Sequence, residues 1–320
     1  MKSVYLLLLP AIAIATIEAK AENWPTKPLR AIVPYGAGST TDIVPRIVFE
    51  KLSSQLGQSI VVENRAGAGG TIGSAFVASA PADGYTILVN SSAHTIAPAL
   101  YSKLGYDPAR DFAAVIPLGI SPNVLVIAPA KGIKSVREFV AMAKAKPGAL
   151  NFSSVGVGTA THMSAERFLS SAGIKAVHVP FKGGAEAMSE VMAGRIDFFF
   201  GPVGLVLPHV QAGKLIALAV NGTQRAAALP DVPTTGEAGY VNAEYPIWFG
   251  LFVHAKTPRA IVDRLYRETL NALQYGGVRD KLGAMGVDPM MMKPAEFDSY
   301  VKKEIAINAA LVKAIGIKPN

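Results

Sequence analysis

The stretch Leu29-Arg-Ala-Ile-Val-Pro-Tyr-Gly-Ala-Gly-Ser-Thr-Thr-Asp42, followed by "IVPRIVFEKLSSQL", decides how the chain folds. Five apolar-rich residues read as a strand, a glycine turn follows, and a helix opens on hydroxyl residues. A second stretch has the same grammar: Asn151-Phe-Ser-Ser-Val-Gly-Val-Gly-Thr-Ala-Thr-His162 leads from a strand into a helix. Glycine permits close approach of the backbone and positive φ. The free N–H groups of a first helical turn, with the macrodipole, favour a negative charge. Ser39, Thr40 and Thr159 can cap the helices or donate a hydroxyl. Gly-Ser-Thr turns also occur where only the turn demands them, so it is the pair of loops that suggests an anion site.

Outward from these loops, short apolar runs alternate with longer amphipathic ones. Strands are expected at Leu29–Pro34, Ser59–Glu63, Tyr85–Asn90, Val124–Ala128, Leu150–Ser153, Lys175–Pro180, Arg195–Phe200, Leu215–Val220 and Trp248–His254. Helices are expected at Thr41–Leu56, Gly70–Ala80, Ser135–Ala145, Thr159–Ala172, Ala185–Ala193 and Val203–Ala212. "SVREFVAMAKAKPG" carries a Ser cap, Glu138 at the capping-box position, and Lys, Pro and Gly at its stop. Such alternation predicts an α/β fold with largely parallel sheets. From Pro258 to Ile315 the chain reads as helical, broken near Gly276-Gly277 and Pro289, and should pack across a preformed domain. No internal sequence repeat is visible.

The first residues read as a secretory signal: Lys2, an apolar run from Val4 to Ile17, and Ala19-Lys20-Ala21, with cleavage expected after Ala21. The alternative, a buried N-terminal helix, fits these parts less well. Half of the 320 residues are hydrophobic and 17% are charged, enough apolar material for a large core and, by length, two domains. Without a cysteine there are no disulfides and no thiolate metal sites. Export without disulfides points to a bacterial periplasm, and no lipid-anchor cysteine is available. The net charge of +8 favours anionic ligands by long-range steering. Its basic residues are scattered, with no stripe interleaved with aromatics, which argues against nucleic acid.

Cofactor and catalytic readings fail on detail. "GAGSTT" lacks the third glycine of a dinucleotide fingerprint, and "GVGTAT" lacks the lysine of a phosphate-binding loop. His94, His162, His178, His209 and His254 form no metal-ligand spacing, and no GxSxG elbow accompanies Ser91, Ser92 and His94. No cofactor, metal or catalytic residue is expected; His94 and His162 are read as orienting their loops.

Several phrases together resemble a known family: "WPTKPLRAIVPYGAGSTTD", "VVENRAGAGGTIGS", "ADGYTILV", "NFSSVGVGTATHMSAERF", "HVPFKGGAEAM", "AGKLIALAV" and "LPDVPTTGEAG". They look like the Bug-type periplasmic solute-binding receptors of tripartite tricarboxylate transporters, from Trp24 to about Ile315. The resemblance implies a fold of the type II periplasmic binding protein kind, two α/β lobes with a ligand cleft and a hinge of crossing strands. Lobe 1 would comprise residues 22–124 and 222–320, and lobe 2 residues 125–221. A monomer would capture a small carboxylate, dicarboxylate or aromatic, for the membrane components of such a transporter. A receptor feeding a signalling kinase and an exported α/β hydrolase are the alternatives.

Carried over motif by motif, the resemblance places Tyr35, Gly36, Ala37, Gly38, Ser39, Thr40 and Asp42 on the ligand from the first loop. Ser154, Gly156, Gly158, Thr159 and His162 would approach from the second, with Ser91, Ser92, Phe181 and Lys182 beside them. Gly201-Pro202 departs from the family, which often has Asp-Asn before the next helix. Gly201 is counted with the site, and the missing carboxylate argues against amino-acid ligands. Phe200 and Trp248 are candidates to flank the ligand or, alternatively, ordinary core residues.

Overall fold

The computed structural model describes residues 24–181, 183–314 and 316–317. The expected signal segment and Lys182 lie outside the described residues. Among the described residues, ten strands form two five-stranded sheets. The first half runs β1 (Leu29–Val33), α1 (Thr40–Leu56), β2 (Ile60–Asn64), α2 (Thr71–Ala78), β3 (Thr86–Ser91), α3 (Ala93–Leu100) and β4 (Phe112–Ser121). The second runs β5 (Asn123–Ile127), α4 (Val136–Ala145), β6 (Leu150–Ser154), α5 (Ala160–Ala172), β7 (Ala176–Pro180), α6 (Gly184–Met192), β8 (Phe198–Pro202), α7 (Val203–Gln211) and β9 (Ile216–Asn221). The chain then returns through β10 (Ile247–His254) to α8 (Arg259–Gln274), α9 (Gly276–Ala284) and α10 (Pro294–Ala314).

Strand order is β2-β1-β3-β10-β4 in one sheet and β7-β6-β8-β5-β9 in the other. The two orders are the same pattern, with β6 to β9 in the places of β1 to β4 and β5 in the place of β10. A structural repeat is therefore present where the sequence shows none. It makes the loop after β1 the topological counterpart of the loop after β6.

The sheets are less parallel than the alternation suggested. β1 pairs in parallel with β2 and β3, and β6 with β7 and β8, but β10 is antiparallel to both neighbours and so is β5. The reason lies in the crossings. Only Pro122 separates β4 from β5, so the chain enters the second sheet from the edge where the first sheet's strands end. A strand entering there must run against neighbours that finish there. β10 does the same on the way back.

Both faces of each sheet are covered, as parallel pairing requires. In β1, Leu29, Ala31 and Val33 join α1 and α8 in one core while Ile32 faces another with Phe252 and Phe297 of α10. In β8, Phe198 and Phe200 pack with Phe139 and Phe168, and Phe199 faces the opposite cluster. Each fully buried ring contributes roughly 1.5–3 kcal/mol. Phe200 and Trp248 are 0% and 1% exposed; both are core residues.

Local signals behave as read where they are strong. Ser135 caps α4 by accepting the Glu138 N–H (3.2 Å), and the Glu138 carboxylate accepts the Lys134 N–H (2.8 Å). Two elements were unexpected. β4 contains Pro117, tolerable because β4 is an edge strand whose ladder with β10 shifts register on both sides of Pro117's partner region. α3 is short, contains Pro98, and buries six of its eight residues.

Candidate ligand cleft between the two sheets

In each sheet the strand order reverses direction beside β1 and β6, and ligands of open α/β sheets bind at such switch points, beyond the carboxyl ends of the strands. The crossings set these ends of the two sheets opposite one another. Between them lies a cavity of about 500 Å³, lined from one side by Tyr35 to Thr41, Ser91 and Ala93, and from the other by Val155, Thr159 to Thr161, Gly183 to Ala185, Pro202 and Leu205. Its floor is made by the first residues of the crossing strands, Asn123 and Ile247.

The first loop is shaped by Asp42. Its carboxylate accepts the Gly38 N–H (2.9 Å), Arg46 Nε (2.9 Å) and Asn64 Nδ2 (2.9 Å), and Asn64 also holds the Tyr35 carbonyl (3.0 Å). Burial pushes the Asp42 carboxyl up, but the bonds from Arg46, Gly38 and Asn64 outweigh it and hold it below the usual range. Gly38 adopts φ +80, which lets the turn close. Ser39 accepts through its carbonyl the N–H groups of Asp42 and Ile43. Its own Oγ is buried without a partner among the described residues. The N–H groups of Thr40 and Thr41 precede the point where α1 can supply a carbonyl, and both residues line the cavity.

The second loop is tied by two histidines. Gly158 N–H donates to His162 Nδ1 (3.1 Å), and Ser154 Oγ is hydrogen-bonded to His178 Nε2 (2.5 Å). Within the loop, Thr161 Oγ1 accepts the Val155 N–H (3.0 Å) and Thr159 Oγ1 donates to the Gly156 carbonyl (2.7 Å). The N–H groups of Ala160 and Thr161 open α5 toward the cavity. Gly184 and Ala185 open α6 beside them. Three helix N-termini thus converge on one space, and no charged side chain lines it among the described residues. Such a wall suits an anion held by main-chain dipoles and hydroxyls.

A family model described as "Tripartite tricarboxylate transporter family receptor" matches residues 44–317. The chain belongs to this receptor family. Protein BugT of Bordetella pertussis is 33% identical over 311 residues, covering 96% of this chain and 95% of the relative. Among solved structures, R. palustris Rpa4515 with adipate superimposes with a TM-score of 0.85 at 32% identity, over 93% of this chain and 100% of that one. MatC (Rpa3494) from Rhodopseudomonas palustris with bound malate gives 0.81 at 30% identity, over 90% and 100%. These likenesses carry the Bug-type resemblance and the two-lobed periplasmic binding fold.

In this receptor the expected contact residues fall into two groups. Tyr35, Gly36, Ala37, Gly38, Ser39, Thr40, Ser91 and Thr159 line the cavity. Asp42, Ser92, Ser154, Gly156, Gly158, His162, Phe181 and Gly201 are not among its lining residues; of these, Asp42, Ser154, Gly156, Gly158, His162 and Phe181 bond to the loops themselves. Phe181 donates its N–H to the Ser154 carbonyl (2.9 Å). Gly201 is packed so closely that an added Cβ would lie 2.5 Å from Phe199. Gly158, at φ +76, leaves room for Leu100 of α3; an added Cβ would lie 2.0 Å from the Leu100 Cδ1. Its glycine serves a contact between lobes, where Ile96 and Leu100 pack on Ala160 and Met163.

Sequence reasoning missed Ala93, Asn123, Val155, Ala160, Thr161, Gly184, Ala185, Pro202, Leu205 and Ile247. The "GGAEAM" helix start was readable as an anion-binding turn by the rule applied to the other two. Asn123 and Ile247 carry no local signal, because the crossings alone bring them to the floor. His94 is enclosed by Tyr106, Phe112 and Phe252, burial pushes it down to about 4, and Nδ1 faces the Asn90 amide rather than a serine. No cluster of three metal-ligating side chains occurs among the described residues.

Proposed function

We propose that this receptor captures a small aliphatic dicarboxylate in the periplasm and presents it to the membrane components of a tripartite tricarboxylate-type transporter. The observation that carries the reading is the convergence of the α1, α5 and α6 N-termini on a cavity without charged side chains. Helix starts on facing walls serve a carboxylate at each end of one molecule. An ammonium group would find no carboxylate there, since Pro202 stands at the end of β8 where an acidic residue would be needed. Tyr35 is the one aromatic residue in the described wall, which favours aliphatic over aromatic acids. Two relatives of similar fold, solved with adipate and with malate, support the same ligand class. A signal peptide cleaved after Ala21 and a monomeric receptor belong to this reading.

Calorimetry on the mature protein with C4 to C6 diacids, benzoate-type acids, aspartate and glutamate tests it. Diacids should bind tightest. Binding of aspartate or glutamate alone would overturn the proposal.

A further inference from the structure

The chain crosses from the first sheet to the second at Ser121-Pro122, and one segment is fastened on each side of that crossing. On the first side, Asp288 donates its N–H to the Ile120 carbonyl (2.8 Å) and accepts the Ile120 N–H (2.9 Å), which ties the segment after α9 to the end of β4. On the second side, the Val203 N–H donates to the Pro122 carbonyl (3.4 Å), which ties the start of α7 to the crossing. The two fastened segments meet. A Cβ added at Gly204 would lie 2.7 Å from the Met285 carbonyl oxygen, and one added at Gly286 would lie 2.7 Å from Val203 Cγ1. Glycine at both positions lets the segments approach this closely. α7 differs in this from α5 and α6: the first residues of those helices line the cavity, whereas Val203 and Gly204 do not. Proline fixes its own φ and restricts the residue before it, so the crossing turns about few torsions. Any rotation there changes the spacing between Gly204 and Met285.

We propose that the contact of Gly204 with the Met285 carbonyl is a closing stop, which fixes the separation of the two cavity walls and with it the length of ligand that the closed cleft accepts. The length argument rests on the dicarboxylate reading above; the stop itself does not. Gly204 and Met285 are positioning residues, since neither lines the cavity. The Met285 carbonyl is main chain in a segment bonded to β4, so it has no rotamer by which to yield to a Cβ. Because the contact lies beside the crossing, a small spacer there swings the walls further apart at the ligand. A short diacid then reaches both walls poorly, and a longer one suffers less.

Gly204→Ala supplies the spacer, and alanine is the better helix former, so α7 should be retained. Gly286→Ala, which meets Val203 across the same contact, takes its place if that variant fails to fold. Gly283→Ala, where an added Cβ meets nothing within 4 Å, is the control. The chain has no cysteine, so spin labels at Val61→Cys on β2 and Val177→Cys on β7, 55% and 56% exposed, report the separation of the sheets by pulsed electron resonance. Gly204→Ala should remove the shortest separations that the labelled parent shows, with or without adipate, and Gly283→Ala should keep them. In calorimetry over succinate, glutarate, adipate and pimelate, Gly204→Ala should weaken the shortest diacid that the parent binds by about fivefold or more, and the longest by less. Separations unchanged in Gly204→Ala would overturn the stop. Longer separations with all diacids weakened equally would overturn its part in length selection. If no diacid binds, the dicarboxylate reading falls, and the separations in the ligand-free protein decide on the stop.

Discussion

The imidazole of His162 stacks on that of His178, with ring centroids 4.0 Å apart and planes 18° from parallel. Phe152 continues the stack beneath His178 at 4.9 Å. Through this pair, α5 and β7 hold the two ends of the second loop, His162 at Gly158 and His178 at Ser154. Because Gly158 donates to Nδ1, His162 carries its proton on Nε2, which lies 3.5 Å from Glu166.

This pair makes the protein sensitive to acid. Burial first, and then the neighbouring His162 imidazole, push His178 from 6.5 down to about 3. The unfolded chain takes up that proton near pH 6.5 and the native protein does not, so stability is full above pH 6.5 and declines as pH falls toward 3. His94, pushed down to about 4, acts in the same direction. His178→Phe keeps a stacking ring and removes the titration. Urea unfolding at pH 7.5 and pH 5 should show a smaller pH-dependent loss in this variant; a loss equal to wild type would refute the assignment.

Ser39 and Thr159 cap equivalent helices but should respond differently to truncation. Ser39 Oγ has no partner among the described residues, so Ser39→Ala should leave stability nearly unchanged and weaken ligand binding by about 0.5–1.5 kcal/mol. Thr159 Oγ1 bonds the Gly156 carbonyl, so Thr159→Ala should lower both melting temperature and affinity. Thermal unfolding and calorimetry on the two variants check the contrast, and identical profiles would count against it.

Asp42 organises the first loop without lining the cavity. In Asp42→Asn, one of the three donors around the carboxylate must face an NH₂ group, an unpaired contact costing about 1–3 kcal/mol. The wild-type carboxyl is held below 3.8, so its contribution is present above that pH and lost as pH falls below it. Asn should remove this acid-limb dependence and weaken ligand binding. Unchanged affinity would mean that the loop keeps its shape without the charge.

Gly158→Val should part the lobes. The added side chain meets the buried Leu100 and adopts φ +76, costing about 1–3 kcal/mol for overpacking and about 1–2 kcal/mol for the backbone. Small-angle scattering with saturating diacid should show the wild type contracting on binding and the variant remaining larger, with reduced affinity. An unchanged radius of gyration and affinity would show that the Leu100 contact does not govern closure.

The sequence by itself determined the strands, the helix starts and the two glycine loops, since each is set by neighbours a few residues away. Strand–glycine–hydroxyl–helix is a local grammar, and it led directly to Ser39, Thr40 and Thr159. Tertiary structure decided which of these atoms face a ligand. Gly156 and Gly158 carry the same signal as Gly36 and Gly38, yet Gly158 faces Leu100 across the lobe boundary. Phe199 and Phe200 differ only in which face of β8 they occupy, and no local rule says that both faces are covered. Asn123 and Ile247 reach the floor because β5 and β10 each cross from one sheet into the other, a juxtaposition of residues more than a hundred positions apart. What is written locally survives in any fold; what faces the ligand exists only once the two sheets are joined.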